Sequence, residues 1–302
     1  RRPRSTPKPS SAASDVYKRH DIDGINTRYF EEGSGEPMIL IHGGQMGMAS
    51  SAEIWFMNFS EFAKNYHVYA FDKLGQGYTD NPKVNEDYTM SAQVKHAVAF
   101  MNKLNITNAH LLGHSRGGYM TTRISLEYPH LAKSNVIIDS ATLMSNPNTF
   151  NFYEDVAERA KLIKDPKERA FYSAAENSFG TEHITDEWID GLMEYSKQSK
   201  NQEAASKFIE LRQIFIDDLA NRRNETHSWI RAGRLKTPTL VVWGLNDPSA
   251  LWDPIGINCL NLVLPNVDNS SMHIFNRSGH SPFREHPEEF NLVVESFIKT
   301  KT

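Results

Sequence analysis

Ser115 stands at the centre of Gly113-His114-Ser115-Arg116-Gly117, a Gly-x-Ser-x-Gly spacing that follows an apolar run and precedes a helical pattern. A serine on a sharp strand-to-helix turn occupies strained backbone, at a cost on the order of 1–3 kcal/mol. Glycines two positions either side let neighbouring main chain approach without a Cβ clash. The helix that follows turns its first N–H groups toward the site, where they favour developing negative charge. The implied chemistry is nucleophilic attack on a carbonyl carbon. The pentapeptide alone is short enough to arise by chance, so its setting carries the weight.

Serine is a poor nucleophile at neutral pH and needs an adjacent base. His280, in Arg277-Ser278-Gly279-His280-Ser281-Pro282, follows the last strand pattern and precedes the last helix, and it is the expected base. A plain surface-loop histidine is the alternative, and it suits most of the other histidines better. Asp247, in Trp243-Gly244-Leu245-Asn246-Asp247-Pro248, is the expected acid that holds the imidazole tautomer. Asp139, after the strand pattern ending at Ile138, is the second candidate, and for either the bland reading is a loop aspartate capping a turn. The expected oxyanion donors are the backbone N–H of Arg116 and that of Gly44, in His42-Gly43-Gly44-Gln45. Gly43, His114, Met46, Tyr119, Trp243 and Phe283 are candidates to line an apolar substrate pocket, although each taken singly fits ordinary core packing as well.

The elements that must position these residues alternate. Strand patterns cover Val16 to Asp21, Ile25 to Glu31, Met38 to His42, His67 to Phe71, Ala109 to Gly113 and Asn135 to Ile138, with a turn at Asp23-Gly24. Helical patterns cover Ile54 to Lys64, Met90 to Leu104 and Gly117 to Glu127. This predicts an α/β fold with a mostly parallel central sheet flanked by helices. From 144 to 232 no strand run appears, and apolar residues recur at helical spacing in Phe208-Ile209-Leu211-Ile214-Phe215-Leu219, which predicts a helical cap inserted after the sixth strand. The sheet pattern returns with strands at Thr239 to Trp243 and Met272 to Phe275 and helices at Leu251 to Leu262 and Glu288 to Ile298. The expected organisation is a disordered basic extension over 1–15, a core over 16–143 and 233–302, and a cap, or lid, over 144–232.

Composition limits the rest. The 302 residues are 39% hydrophobic and 23% charged, with a formal charge of −4 and no basic stripe to neutralise phosphates, which argues against nucleic acid. One cysteine, Cys259, excludes an internal disulfide and points to a reducing compartment, the cytoplasm. No stretch reaches the roughly 18–20 apolar residues that span a bilayer. Arg1 to Ala13 contain no acid and lack the apolar run of a signal peptide; an export or transit segment is the alternative to a disordered extension. Gly75-Gln76-Gly77 has no third glycine at position 80, so no dinucleotide or other cofactor is expected. His110 and His114 fall on a strand and its turn, where a spacing of four has no ligand meaning, and no metal is expected. The expected partner is a small-molecule substrate, and a homo-oligomer is left open.

The segments His42-Gly43-Gly44, Asp72-Lys73-Leu74-Gly75-Gln76-Gly77-Tyr78-Thr79-Asp80-Asn81-Pro82, the Ser115 turn, the Asp247 turn and the His280 loop stand in the order of the α/β-hydrolase superfamily. From 16 to 300 the chain resembles that superfamily. It is most similar to the branch of the meta-cleavage-product hydrolases, which split C–C bonds in ring-fission products of aromatic degradation. Glu285-His286-Pro287-Glu288-Glu289-Phe290-Asn291 and the C-terminal helix carry that likeness. The chain also departs from the branch. His114 stands where the branch usually has Asn, Ser281 where it usually has Trp, and Leu192 where a cap arginine would grip the substrate's carboxylate. These departures favour a carboxylesterase-like activity on a small to medium, largely apolar ester through an acyl-enzyme. C–C hydrolysis is the alternative, and a ligand receptor on the same fold is an alternative of another class.

Overall fold

A computed structural model describes residues 17–144 and 151–302. The extension expected over 1–15 lies outside the described residues. Eight strands form one sheet: β1 (Tyr17–Ile22), β2 (Ile25–Gly33), β3 (Pro37–Ile41), β4 (His67–Phe71), β5 (Ala109–His114), β6 (Ala132–Ile138), β7 (Thr239–Gly244) and β8 (Ser270–Phe275). Their order is β1-β2-β4-β3-β5-β6-β7-β8. β2 is antiparallel to β1 and β4, and every other pairing is parallel. β5 and β7 are buried along their whole length, and such continuous apolar runs belong to strands covered on both faces. The β1–β2 hairpin turns through Asp23 and Gly24, both at positive φ (53° and 83°), the twist that a two-residue hairpin requires.

Eleven α-helices accompany the sheet among the described residues. α1 (Phe59–Phe62), α2 (Met90–Lys103) and α3 (Arg116–Glu127) precede β6; α4 (Phe152–Ala160), α5 (Pro166–Ala175), α6 (Asp186–Ser196), α7 (Ser199–Glu210) and α8 (Arg212–Arg231) lie between β6 and β7. α9 (Ile257–Val263), α10 (Pro282–Glu285) and α11 (Pro287–Lys301) follow. One apolar cluster covers the sheet face beneath α2, α3 and α9, and a second fills the face beneath α11. No helix among the described residues is long and apolar enough to cross a membrane.

The expected alternation is present, with differences that have local causes. In place of one helix over Ile54 to Lys64, a 3-10 turn at Ala52–Trp55 is separated from α1 by the buried Asn58. Its amide spans to the far end of the chain, donating to Phe283 O and Asn291 Oδ1 at 2.9 Å each. The helix expected from Leu251 opens as a wide turn, Trp252–Gly256, where Pro254 has no N–H to give, and turns regular only at Ile257. The apolar stretch Phe208 to Leu219 straddles the break between α7 and α8 at Leu211. Phe208 and Phe215, at the i, i+7 spacing of one helical face, stay buried on both sides of that break while Ile209 and Ile214 are exposed. The short α10 is an element that sequence patterning does not reveal.

The turn after β4 is organised by a buried carboxylate. Asp72 accepts Arg28 Nε at 2.6 Å and Arg28 Nη2 at 3.2 Å, and it also accepts the backbone N–H groups of Ala52 (2.8 Å) and Tyr78 (2.7 Å). Gly77 (φ 51°) is required beside it, because a Cβ there would lie 2.1 Å from the carboxylate. Four donors on one carboxylate hold the Asp72–Asp80 turn against the sheet, and that turn carries Lys73 and Gln76 to the loop after β3. Breaking a buried pair leaves an uncompensated charge. Asp72→Asn should therefore lower unfolding free energy by about 3–5 kcal/mol, read from urea denaturation; a loss under about 1 kcal/mol would show that the pair is not structural.

Candidate active site

Ser115 is the single residue between β5 and α3, at φ 54° and ψ −117°. That conformation costs a serine energy, and the surroundings enforce it. Ser115 N donates to Ile138 O at 2.7 Å, and Ser140 Oγ donates to Ser115 O at 2.6 Å. A Cβ on Gly113 would lie 2.2 Å from Gly117 O, and one on Gly117 would lie 2.2 Å from Ile41 O. Both glycines of the pentapeptide are therefore needed by packing.

The structure brings His280 and Asp247 together. His280 Nδ1–H donates to Asp247 Oδ2 at 2.6 Å, with both side chains buried. The other oxygen, Oδ1, accepts Ser249 N (2.8 Å), Ser249 Oγ (2.9 Å) and Ala250 N (2.9 Å). Burial alone would raise the Asp247 pKa, but the His280 ring and these donors outweigh it and hold it below the ordinary aspartate value. Asp139, the second candidate acid, is fully buried at positive φ (44°) and accepts Gly244 N at 2.8 Å. Burial and the Asp247 charge push its pKa well above the ordinary aspartate value. Ser115 Oγ and His280 are not hydrogen-bonded to each other in this structure, a contact that commonly tightens only when substrate is bound.

His114 links the two. Its Nε2–H donates to His280 O at 2.7 Å, and its ring lies 4.6 Å from the His280 ring and 5.0 Å from that of Phe283. A carbonyl can only accept, so the proton sits on Nε2 and Nδ1 is a buried acceptor without a partner. Burial and the neighbouring His280 keep this imidazole neutral. Gly43 is wedged against both residues: a Cβ there would lie 2.9 Å from Ser115 Cβ and 3.0 Å from His114 Nδ1.

The carbonyls of the loop after β3 are held from below. His42 Nδ1–H donates to Gly43 O at 2.8 Å, while His42 Nε2 accepts Lys73 N at 3.1 Å. Lys73 Nζ donates to Gly44 O at 2.9 Å, and Gln76 Nε2 approaches Gly43 O at 3.4 Å. The loop thus has its carbonyls engaged, with Gly44 at φ 77°. Lys73 is fully buried, and burial together with nearby Arg116 pushes its pKa well down. Arg116 opens α3, where its own N–H has no intrahelical acceptor.

Some contributors are not evident from sequence. Lys73 and Gln76 lie inside the Asp72–Pro82 segment, whose order signals a family but not these contacts. Glu285 accepts Gly279 N (2.8 Å) on one oxygen and Phe179 N (2.8 Å) and Gly180 N (3.1 Å) on the other, and His280 N donates to Asn177 O at 3.0 Å. This clamp ties the His280 loop to the segment after α5. Of the pocket candidates, Met46, Tyr119 and Trp243 lie in one core cluster and Phe283 in the other. Trp243 Nε1 is already satisfied by Ala250 O at 2.8 Å. Among the described residues no group of three or more His, Cys, Asp or Glu side chains is arranged to hold a metal ion.

Comparison with known proteins places the fold in a family. Residues 36–287 match the α/β hydrolase fold family, and the chain belongs to it and is a hydrolase. It is 26% identical, over 96% of its length and 93% of the relative's, to 2-hydroxy-6-oxo-6-(2'-aminophenyl)hexa-2,4-dienoic acid hydrolase of Metapseudomonas resinovorans. It is 27% identical to 2-hydroxymuconate semialdehyde hydrolase of Pseudomonas sp. strain CF600, over 91% of each chain. The solved meta-cleavage product hydrolase of Pseudomonas fluorescens IP01 superposes with a TM-score of 0.76 at 27% identity, covering 94% of this chain and 98% of that one.

Two substitutions separate the carboxylates. Asp247→Asn should lower kcat by about 10⁴-fold, as loss of the orienting acid does, and Asp139→Asn by less than tenfold, measured on a chromogenic ester; the reverse ranking would make Asp139 the acid. Because the Asp139 pKa is raised, its stabilising contribution is complete below the unfolded value of about 4 and fades as pH rises through the folded value. Melting temperatures taken across this range should therefore fall less with rising pH in Asp139→Asn than in the wild type.

Proposed function

We propose that the protein hydrolyses a C–C bond in a ring-fission-type keto acid, a vinylogous diketone carrying a carboxylate. The observation that carries this reading is the agreement of its relatives. Proteins matched over nine-tenths of both chains bear names for that one reaction type. This replaces ester hydrolysis as the leading reading.

In the proposed mechanism Ser115 Oγ adds to the ketone carbon while His280 takes the hydroxyl proton. Asp247 holds the imidazole by its Nδ1–H and stabilises the resulting cation. The oxyanion accepts the N–H groups of Gly44 and Arg116. Collapse expels the dienolate carbon, which takes the proton from His280 and leaves an acyl group on Ser115. Water, deprotonated by His280, then releases the acid and restores the serine. Helices α4 to α8 act as the cap over this site, and the free, buried Cys259 is in keeping with a cytoplasmic setting.

One observation favours the ester reading as second. His114 spends its N–H on the His280 carbonyl, so it offers a substrate only an acceptor, where the branch usually has an asparagine amide. The two readings part on one assay. The purified enzyme should turn over a 2-hydroxy-6-oxodienoate with kcat/KM at least 100-fold above that for p-nitrophenyl butyrate, and Ser115→Ala should abolish both. A preference for the ester would reverse the assignment, and unchanged turnover in Ser115→Ala would remove Ser115 as nucleophile.

A further inference from the structure

Arg116 contributes its backbone to one place and its side chain to another. The guanidinium reaches across to the helices between β6 and β7, 4.6 Å from the Phe215 ring centroid and 5.6 Å from that of Phe208. Among the described residues its one side-chain hydrogen bond joins Nη2 to Gln45 Oε1 at 2.9 Å, on the loop next to Gly44. Nη1 is shielded from solvent and has no partner. Among the described residues no carboxylate offsets the charge; the charged and titratable groups near it are Tyr153, Arg223 and the buried Lys73. Among the described residues the Arg223 side chain donates only to Thr142 O, at 3.0 Å, and that of Lys73 only to Gly44 O.

Two other inward-facing arginines have carboxylate partners. Arg28 pairs with Asp72 and Glu53, and Arg123 pairs with Glu127 and Glu225. Arg284 lacks a carboxylate partner, but it is 3% exposed, enclosed against the Phe56 and Trp188 rings, and donates to His183 O. Arg116, next to the expected nucleophile in sequence, is half-buried and not enclosed. Burial, aided by Arg223, pulls its pKa down to about 10, which leaves it charged at neutral pH. A half-buried cation with one neutral acceptor is costly, and a bidentate anion is the partner its planar fork matches.

We propose that the Arg116 guanidinium anchors the substrate's carboxylate, so that selection for an anionic substrate comes from the residue beside the nucleophile and not from the cap position held by Leu192. The inference rests on the reading of the substrate as a keto acid, but it is tested without C–C turnover. Sorbate and its neutral amide, sorbamide, serve as competitive inhibitors of p-nitrophenyl butyrate hydrolysis. In the wild type sorbate should bind at least tenfold more tightly than sorbamide. Arg116→Met should erase that difference, and Arg116→Lys should keep part of it while losing the bidentate contact. Equal inhibition in the wild type, or a preference that survives in Arg116→Met, would overturn the proposal. Should Arg116→Met fail to fold, the wild-type comparison and Arg116→Lys still decide it. A protein that prefers sorbate through Arg116 but does not cleave the dienoate would overturn the proposed reaction and leave the anion site standing.

Discussion

The active-site region depends on how closely three stretches of backbone crowd around Ser115. The end of β3, the end of β5 and the first turn of α3 meet so tightly that side chains at 113 and 117 would overlap carbonyl oxygens at 2.2 Å. That contact leaves the chain one way to pass from strand to helix, with the serine lifted at φ 54°. The strain of that residue is offset by the hydrogen bonds at its own N–H and carbonyl and by the packing of α3 on β5 and β6. The sheet is therefore more than a scaffold here: its register sets the side-chain direction of the expected nucleophile.

The remaining groups are hung on this turn by polar ties that run through carbonyls and N–H groups. Asp72 fixes the turn that presents Lys73 and Gln76, and these hold the carbonyls of Gly43 and Gly44. Glu285 fixes the His280 loop against the segment after α5, and His114 takes the His280 carbonyl. Each tie satisfies a buried polar group that would otherwise cost free energy. The ring of His280 thus has its backbone fixed from two sides and its Nδ1–H fixed by Asp247, which leaves Nε2 as its unconstrained atom.

Much of this was legible from sequence because the strongest signals are the ones the backbone demands. Apolar runs buried on both faces give the parallel strands, and the glycines around Ser115 report the crowding directly. The limits are equally physical. Asn58 breaks a helix by bonding to Phe283 and Asn291, more than 200 positions away, and no local pattern encodes that. The stretch around Phe208 reads as one amphipathic helix because the i, i+7 spacing of Phe208 and Phe215 runs on through the break at Leu211. Met46, Tyr119 and Trp243 belong to a buried apolar cluster, and in sequence an apolar residue near a motif reads the same whether it faces a ligand or a neighbour. Glu285 was visible as part of a family-like segment, yet its work on Gly279, Phe179 and Gly180 is defined by the fold.

The choice between ester and C–C cleavage turns on the leaving group. An alkoxide leaves with its own electronegative oxygen, whereas a carbon leaving group must depart as a stabilised enolate and be protonated in place. On a carboxylate-bearing substrate that enolate adds negative charge to a site already holding one. A site for such chemistry therefore needs a lasting positive field, beyond the transient donors of an oxyanion hole. The region around Ser115 has that character: Arg116 is charged and unpaired, Arg223 adds to it, and no carboxylate among the described residues cancels either. A pocket for a purely apolar ester would have no use for such a field and would bear the cost of desolvating it. The electrostatics thus lean the same way as the relatives, even where His114, Ser281 and Leu192 depart from them.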